Sequence, residues 1–198
     1  MAWAKISTAL LANACLAASL SAQWVPASAQ VHEMQFRLNP DGALVILENR
    51  QGTYLRASDG SARTLLQRVS TDASSNAAEE ILLDAPHHRV VRVSFDSKSY
   101  SVVGSIPAPF LPRTRSHVPQ AILVSEQTIN GLRCHGLPVK GDAVQSGTAW
   151  YSFENDLKVR EETELSNGLH YFYELTNIHL GIEPPRSAFQ IPAAFTEQ

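Results

Sequence analysis

Residues 121–137 are AILVSEQTINGLRCHGL, two apolar-rich runs on either side of Asn130-Gly131. An Asn-Gly pair accepts the positive φ angles of a type I′ turn, and the twist of that turn matches the twist of the strands it joins. We therefore predict a β-hairpin with strands over Ala121–Ile129 and Leu132–Leu137.

The same two-residue period continues toward the C-terminus. Apolar residues alternate with charged ones from Leu157 to Leu165, and Ser166-Asn167-Gly168 then predicts a turn into a strand over Leu169–Ile178. Along that last strand one face carries Leu169, Tyr171, Tyr173 and Leu175. This half of the chain is therefore predicted to be antiparallel sheet with one drier face.

Short strands and tight turns also fill the N-terminal half. The predicted strands are Glu33–Leu38, Leu44–Leu47, Thr53–Ala57, Ala62–Val69, Val90–Phe95 and Tyr100–Val103. The predicted turns are Asn39–Gly42, Asp59-Gly60 and Asp96–Lys98.

Two segments fall outside this pattern. Residues 70–80 are polar and predict a loop or short helix, and the four prolines within residues 104–119 predict an irregular crossover. The fold class is therefore mainly β: a curved antiparallel sheet or incomplete β-barrel of about ten short strands, with few short helices.

Residues 1–29 have the features of a secretory signal peptide. Lys5 is the only charged residue before Gln30, an Ala/Leu/Ser-rich run follows it, and Ala27-Ser28-Ala29 has the small-x-small form of a cleavage site. Cleavage after Leu20-Ser21-Ala22 is the alternative. We predict a single β-rich domain over residues 30–198, periplasmic or secreted, with no transmembrane span in the mature chain.

Composition and charge exclude several classes of function. Hydrophobic residues make up 44% and charged residues 18%, which is typical of a globular domain, and the net charge is −3 without a clustered basic segment. We therefore predict no nucleic-acid partner. The chain has no Gly-rich phosphate loop, and we predict no cofactor.

The candidates for catalysis and metal binding are weak. Cys134-His135 are neighbours on a predicted strand and should point to opposite faces, while His170 and His179 would also lie on opposite sides of a regular strand. The acidic residues at 79–80, 154–156 and 161–162 are best explained as solvated charge. We predict no catalytic residue and no metal site.

Aromatic residues concentrate on two segments. Trp150, Tyr151 and Phe153 lie on one, and Tyr171, Phe172 and Tyr173 lie on the other. Ordinary core packing explains them, and so does a concave apolar surface for a hydrophobic ligand.

The order of motifs in the C-terminal half resembles the envelope proteins related to the lipoprotein carrier and lipoprotein-sorting (LolA-like) family. The matching motifs are Thr128–Leu132, Trp150–Ser152 with Leu157, Leu175–Ile178 and Ser187–Pro192. An Asn-Gly hairpin, a Trp-containing strand and a terminal Phe-x-Ile/Val-Pro recur in that family. Residues 54–60, YLRASDG, are similar to uncharacterised secreted bacterial proteins with the same ending.

The resemblance implies an incomplete antiparallel barrel whose concave side can hold acyl chains. The helices that plug this cavity in the family's carriers have no clear counterpart in the sequence. We predict a noncatalytic envelope protein that binds a lipid, a lipoprotein acyl chain or another hydrophobic ligand through Trp150, Tyr171 and Tyr173. The alternatives are a structural or interaction module that recruits a strand of an envelope protein at a sheet edge, and a hydrolase that uses Cys134.

Overall fold

A computed structural model describes residues 23–69, 78–106 and 125–198. The strands are β1 (Ala27–Leu38), β2 (Leu44–Arg56), β3 (Ala62–Arg68), β4 (Ala78–Asp84), β5 (Arg89–Ser94), β6 (Ser99–Ser105), β7 (Glu126–Ile129), β8 (Leu132–Pro138), β9 (Val144–Ser152), β10 (Lys158–Leu165), β11 (His170–Leu180) and β12 (Thr196–Glu197). They form one sheet in the order β12-β6-β5-β4-β3-β2-β1-β11-β10-β9-β8-β7.

The sheet consists of two antiparallel meanders that meet at β1. On one side β1–β6 follow one another outward from β1, on the other β7–β11 follow one another from the edge inward to β1, and β1 pairs with both β2 and β11. Strand β12 pairs in parallel with β6 through two residues. The mainly β prediction is confirmed: the sheet is open and curled, and the described residues contain no helix of seven residues or more.

The local turn predictions are confirmed where the structure describes them. Asn130 and Gly131 have φ angles of +48° and +81° and connect β7 to β8, as a type I′ turn requires. The other predicted turns, at residues 39–42, 59–60, 96–98 and 166–168, also connect paired strands. Residues 121–124 of the predicted first strand lie outside the described residues.

Three predicted boundaries change. Leu44–Leu47 and Thr53–Ala57, predicted as two strands, fall in one continuous strand that ends at Arg56, because residues 44–56 form an almost unbroken ladder with β1. Residues 78–80 begin β4 and are not a loop, while residues 70–77 lie outside the described residues. The crossover begins later than predicted, since β6 extends to Ser105; residues 107–119 are not described.

Residues before the predicted mature start also belong to the sheet. Ala27 and Ala29 are buried in the main core, and β1 begins at Ala27. The site at which a leader is removed stays a prediction.

The core is divided into two parts. The larger cluster lies around β1 and β11 and includes Val31, Leu66, Val159 and Leu175. In the smaller one, Leu82, Val91 and Val93 are covered by Phe189, Ile191 and Phe195 of the C-terminal segment. That segment contains a 3₁₀ turn over Arg186–Phe189 and ends at β12.

The described residues include no helix with the length and apolar character that a bilayer span requires.

Candidate functional site

The inner face of the curled sheet forms a cavity of about 290 Å³. Its lining residues are Glu33, Tyr54, Ala62, Thr64, Leu66, Ile81, Leu83, Lys158 and Tyr173. Apolar and aromatic side chains dominate this set, which is the usual character of a pocket for a small hydrophobic ligand.

Sheet curvature makes the cavity. Ile81 on β4 and Lys158 on β10 both line the cavity, although four strands lie between β4 and β10 in the sheet. In a flat sheet those two strands would lie about 24 Å apart, at about 4.8 Å for each neighbouring pair. The strands between them must therefore curl round the cavity.

Gly52 lies on β2 within this curled region. A Cβ atom at Gly52 would overlap the backbone carbonyl oxygen of Leu65 on β3. Only glycine permits this close approach of the two backbones, so the tight curl at β2 and β3 depends on it.

Strand pairing determines which side chains face the cavity. Tyr54 pairs with Thr64, and Thr64 pairs with Ile81, so the three lie on the same face of neighbouring strands. Leu82 points the other way and packs under the C-terminal segment. The C-terminal segment therefore covers the outer face of this wing of the sheet.

Glu33 is an acidic group in the wall of an otherwise largely apolar cavity. The Tyr171 hydroxyl donates a hydrogen bond of 3.2 Å to Glu33 Oε1. Burial raises the pKa of Glu33 above its ordinary value, although this hydrogen bond and the charges of Arg50 and Lys158 oppose the rise. Burial and nearby Glu33 also raise the pKa of Tyr171, so its hydroxyl stays protonated as a donor.

Lys158 on β10, two strands from Glu33 in the sheet, supplies a cation to the same cavity. Its Nζ lies 2.9 Å from Glu161 Oε2 and 4.4 Å from the centroid of the Tyr173 ring. The ion pair balances the charge of Lys158 locally, and the ring contact adds a cation–π interaction.

The three predicted ligand-binding residues do not line one cavity. Tyr173 lies in the cavity wall with 5% of its surface exposed, and Tyr171 contributes through its hydrogen bond to Glu33. Trp150 pairs with Arg160, which pairs with Glu174, whereas Tyr173 pairs with Glu161. Since cross-strand partners share a face, Trp150 lies on the face opposite to that of Tyr171 and Tyr173.

Trp150 instead lines a shallow depression of about 310 Å³ on its own face, with Thr148, Glu162 and His170. Its indole Nε1–H donates to Ser125 Oγ at 3.4 Å. Five of the seven other residues that line this depression are charged or carry a hydroxyl group, so Trp150 lies in a polar site apart from the apolar cavity.

Most of the cavity wall was not predicted from the sequence. Tyr54, Leu66, Ile81 and Leu83 come from three strands of the N-terminal meander, which the aromatic clustering did not indicate. Their alternation was visible as strand periodicity, but cross-strand register is what brings them together.

Cys134 and His135 face opposite sides of β8, as predicted. Cys134 is fully buried in the main core and donates its thiol to the Leu132 carbonyl oxygen at 3.4 Å, while the His135 ring packs on Tyr151 and Phe153. Burial raises the pKa of the Cys134 thiol, which disfavours the thiolate needed for nucleophilic attack.

One prediction about a polar residue is wrong, and another assumed a regular strand that the structure does not have. Glu80 is not solvated: it is 1% exposed, because Arg63 Nη2 pairs with its carboxylate at 2.6 Å. His170 and His179 pair with Phe36 and Ser28, which lie an even number of positions apart on β1, so the two histidines share a face. A register shift adds one residue to β11 between them.

No three His, Cys, Asp or Glu side chains come together as possible metal ligands in residues 23–69, 78–106 and 125–198.

No protein-family model and no curated protein sequence matches the chain. Among solved structures, an uncharacterised conserved protein from Thermus thermophilus has a TM-score of 0.52 at 9% identity, over 90% of this chain and 92% of that chain. That likeness shows a shared fold.

Two further solved structures are more distant. A structure of the MucA/MucB complex of Pseudomonas aeruginosa matches with a TM-score of 0.42 at 14% identity, over 86% of this chain and 56% of that chain. A LolA superfamily protein from Nitrosomonas europaea matches with a TM-score of 0.37 at 11% identity, over 83% of this chain and 90% of that chain.

Proposed function

We propose that this chain is a noncatalytic protein of the cell envelope that binds a hydrophobic ligand, such as a lipid or a lipoprotein acyl chain, in the cavity of its curled sheet. The observation that carries the proposal is the apolar cavity of about 290 Å³, lined from six neighbouring strands. The predicted signal peptide supports an envelope location.

The size and walls of the cavity suit one apolar chain. Leu66, Ile81 and Leu83 form one wall, and Tyr54 and Tyr173 supply aromatic surface. Each buried methylene group contributes about 0.8 kcal/mol, so about six of them would contribute about 5 kcal/mol before the cost of association.

Binding without catalysis is part of the proposal. The buried thiol of Cys134, with its raised pKa, does not support a nucleophile. Glu33 and Lys158, the ionisable side chains of the cavity wall besides its tyrosines, are held by a hydrogen bond to Tyr171 and an ion pair to Glu161. These contacts support roles in shaping and polarising the wall.

Native mass spectrometry of mature protein purified gently from its own envelope fraction tests the proposal. We expect a discrete added mass that organic extraction removes and that is identified as a lipid. An apo mass that takes up none of a set of added lipids contradicts the proposal.

A pair of variants connects the added mass to the cavity. Thr64→Phe fills the cavity from β3, and Thr148→Phe places the same side chain on the opposite face of the sheet. We expect Thr64→Phe to lose the ligand and Thr148→Phe to keep it. Equal retention by both would show that the ligand binds elsewhere.

A second candidate function is supported by the tip of the β1–β2 hairpin. Leu38, Leu44, Ile46 and Leu47 are each about half exposed, at 52%, 49%, 52% and 54%. Within the described chain the ladder between β2 and β3 begins at Arg50, and the Val69 N–H donates to the Asn49 carbonyl oxygen at 2.8 Å, which leaves residues 44–48 of that edge without a backbone partner there. We propose recruitment of an envelope protein's strand at this edge as the alternative.

This alternative predicts a stable complex with an envelope protein that Ile46→Lys abolishes and Thr64→Phe leaves intact. Size-exclusion chromatography of tagged protein with the purified partner measures it. Loss of the complex in Thr64→Phe alone would instead connect the partner to the cavity.

A further inference from the structure

The hydroxyl groups of two tyrosines are available in the cavity wall. Tyr54 on β2 and Tyr173 on β11 line the cavity, and neither hydroxyl has a hydrogen-bond partner among the residues that the structure describes. Tyr173 is only 5% exposed. The hydroxyl of a buried tyrosine normally has a partner, because an unpaired polar group is costly to remove from water. Both hydroxyls can therefore donate to a molecule in the cavity.

Strand pairing places the two tyrosines on one face of the sheet. Tyr54 pairs with Ala29 of β1, and Tyr173 pairs with Glu33 of β1. Ala29 and Glu33 are four residues apart on the same strand, so both tyrosine side chains point to the cavity side. Burial raises the pKa of both tyrosines, and the neighbouring Tyr54 adds to the rise at Tyr173. Both hydroxyls therefore stay protonated as donors.

The charged groups of the wall are balanced within the protein. The Lys158 ammonium lies 2.9 Å from Glu161 Oε2 and 4.4 Å from the centroid of the Tyr173 ring. Beside Glu33 lies a cluster of three arginines and two glutamates: Arg50, Arg68, Arg92, Glu48 and Glu79. The excess positive charge of this cluster offsets the charge of Glu33. The described wall is therefore close to neutral, which favours an uncharged ligand.

We infer that Tyr54 and Tyr173 bind the ester group of an acyl chain in the cavity. Their hydroxyls would donate to the ester oxygens, and the alkyl part would pack on Leu66, Ile81 and Leu83. An ester carries acceptors and no donor, so it complements two hydroxyl donors, and it brings no charge into the wall. This inference rests on the proposed function, because it names the chemical group that the same cavity recognises.

Binding of methyl octanoate and methyl octyl sulfide to the mature protein tests the inference. Both probes are uncharged and similar in length, but a thioether sulfur is only a weak acceptor. Titrations followed by the NMR chemical shifts of backbone amides give each Kd in the wild type and in a Tyr54→Phe/Tyr173→Phe double variant. We expect the double variant to bind methyl octanoate about tenfold more weakly and the sulfide equally or more tightly. Comparing the two proteins cancels the difference in hydrophobicity between the probes.

Tyr100→Phe is the matched control. Tyr100 lies on β6, donates its hydroxyl to Glu197 Oε2 at 3.2 Å and does not line the cavity, so both Kd values should stay the same. The same ratio of the two Kd values in the wild type and the double variant would overturn the inference and leave the proposed function intact. Octanoate binding as tightly as its methyl ester at neutral pH would also overturn it. If neither probe binds the wild type, the proposed function fails as well.

The stability of the unliganded protein gives a second test of the same hydroxyls. Since the Tyr173 hydroxyl has no partner in the described chain, we expect Tyr173→Phe to unfold at the wild-type temperature or above it. Tyr171→Phe loses the hydrogen bond to Glu33 and should unfold at a lower temperature. A loss in Tyr173→Phe as large as that in Tyr171→Phe would overturn the inference, because the Tyr173 hydroxyl would then be bonded within the protein.

Discussion

The guanidinium carbon of Arg56 lies 5.2 Å from the centroid of the Trp24 ring, at the point where the chain enters β1. Arg56 is 3% exposed and donates to three backbone carbonyl oxygens, those of Val25, Asn155 and Asp156. One side chain thereby joins the N-terminal segment, the end of β2 and the turn between β9 and β10. A buried guanidinium requires such a set of acceptors to compensate for lost hydration.

We expect Arg56→Ala to lower the free energy of unfolding by about 3–5 kcal/mol, because three carbonyls lose their donor and Trp24 loses its packing partner. Urea unfolding followed by tryptophan fluorescence measures the change. Arg92→Ala serves as the control: Arg92 is exposed and forms a surface ion pair with Glu79, so it should cost less than about 1 kcal/mol. Similar losses in both variants would contradict this role for Arg56.

The contacts of Trp24, Ala27 and Ala29 predict where the signal peptide is cleaved. Ala27 is 0% and Ala29 6% exposed, and the backbone N–H of Trp24 donates to the Ser58 carbonyl at 3.1 Å. Cleavage after Ala29 would remove these contacts, so we expect the leader to be removed after Ala22 and the mature chain to begin at Gln23. The intact mass of the exported protein measures this directly. A mature chain that begins at Gln30 and remains folded would contradict the prediction.

Gly52 provides a test of the sheet curvature. A Cβ atom there would overlap the Leu65 carbonyl oxygen, which belongs to backbone and cannot rotate away, so we expect Gly52→Ala to destabilise the protein by about 2–4 kcal/mol. Gly104→Ala is the matched control on β6, where the nearest atom, Val90 Cβ, lies at an ordinary contact distance of 3.7 Å. Thermal unfolding compares the two. A melting temperature for Gly52→Ala close to that of Gly104→Ala would show that the backbones separate at little cost.

The parts of the fold that could be predicted from sequence are those determined within a few residues. The Asn130-Gly131 turn depends on the φ preferences of two adjacent residues, and it formed as predicted. The continuity of β2 could not be predicted from the sequence, because the polar stretch Glu48–Gln51 interrupts the apolar pattern. In the folded sheet Glu48 and Arg50 satisfy each other, so the strand continues through them.

The candidate site depends on relationships that no local pattern contains. Trp150 and Tyr173 both lie on strands, as predicted, but their faces depend on how β9, β10 and β11 align. Shifting one strand by a single residue reverses every face, and the aromatic count is the same in either register. The cavity depends further on curvature at Gly52, whose signal in the sequence is a single glycine.

Glu33 makes the stability of the protein depend on pH in a predictable direction. Burial raises its pKa in the folded state, despite the Tyr171 hydrogen bond and the nearby charges of Arg50 and Lys158, while Glu79 adds to the rise. The folded state therefore holds the proton more tightly than the unfolded state does. The stability associated with the protonated group is fully present below the ordinary pKa of the glutamate, about 4.3, and is lost as the pH rises through the raised value.

Glu33→Gln removes this titration and keeps a neutral side chain at every pH. We expect the variant to gain stability relative to the wild type as the pH rises from about 4 to 7, because only the wild type must bury a charge over that range. Urea unfolding of both proteins at several pH values gives the difference in free energy, and Glu126→Gln, outside the cavity, should show a much smaller trend. A difference that is constant with pH, or that shrinks as the pH rises, would show that the Tyr171 hydrogen bond and the charges of Arg50 and Lys158 compensate fully for the burial of the Glu33 carboxylate.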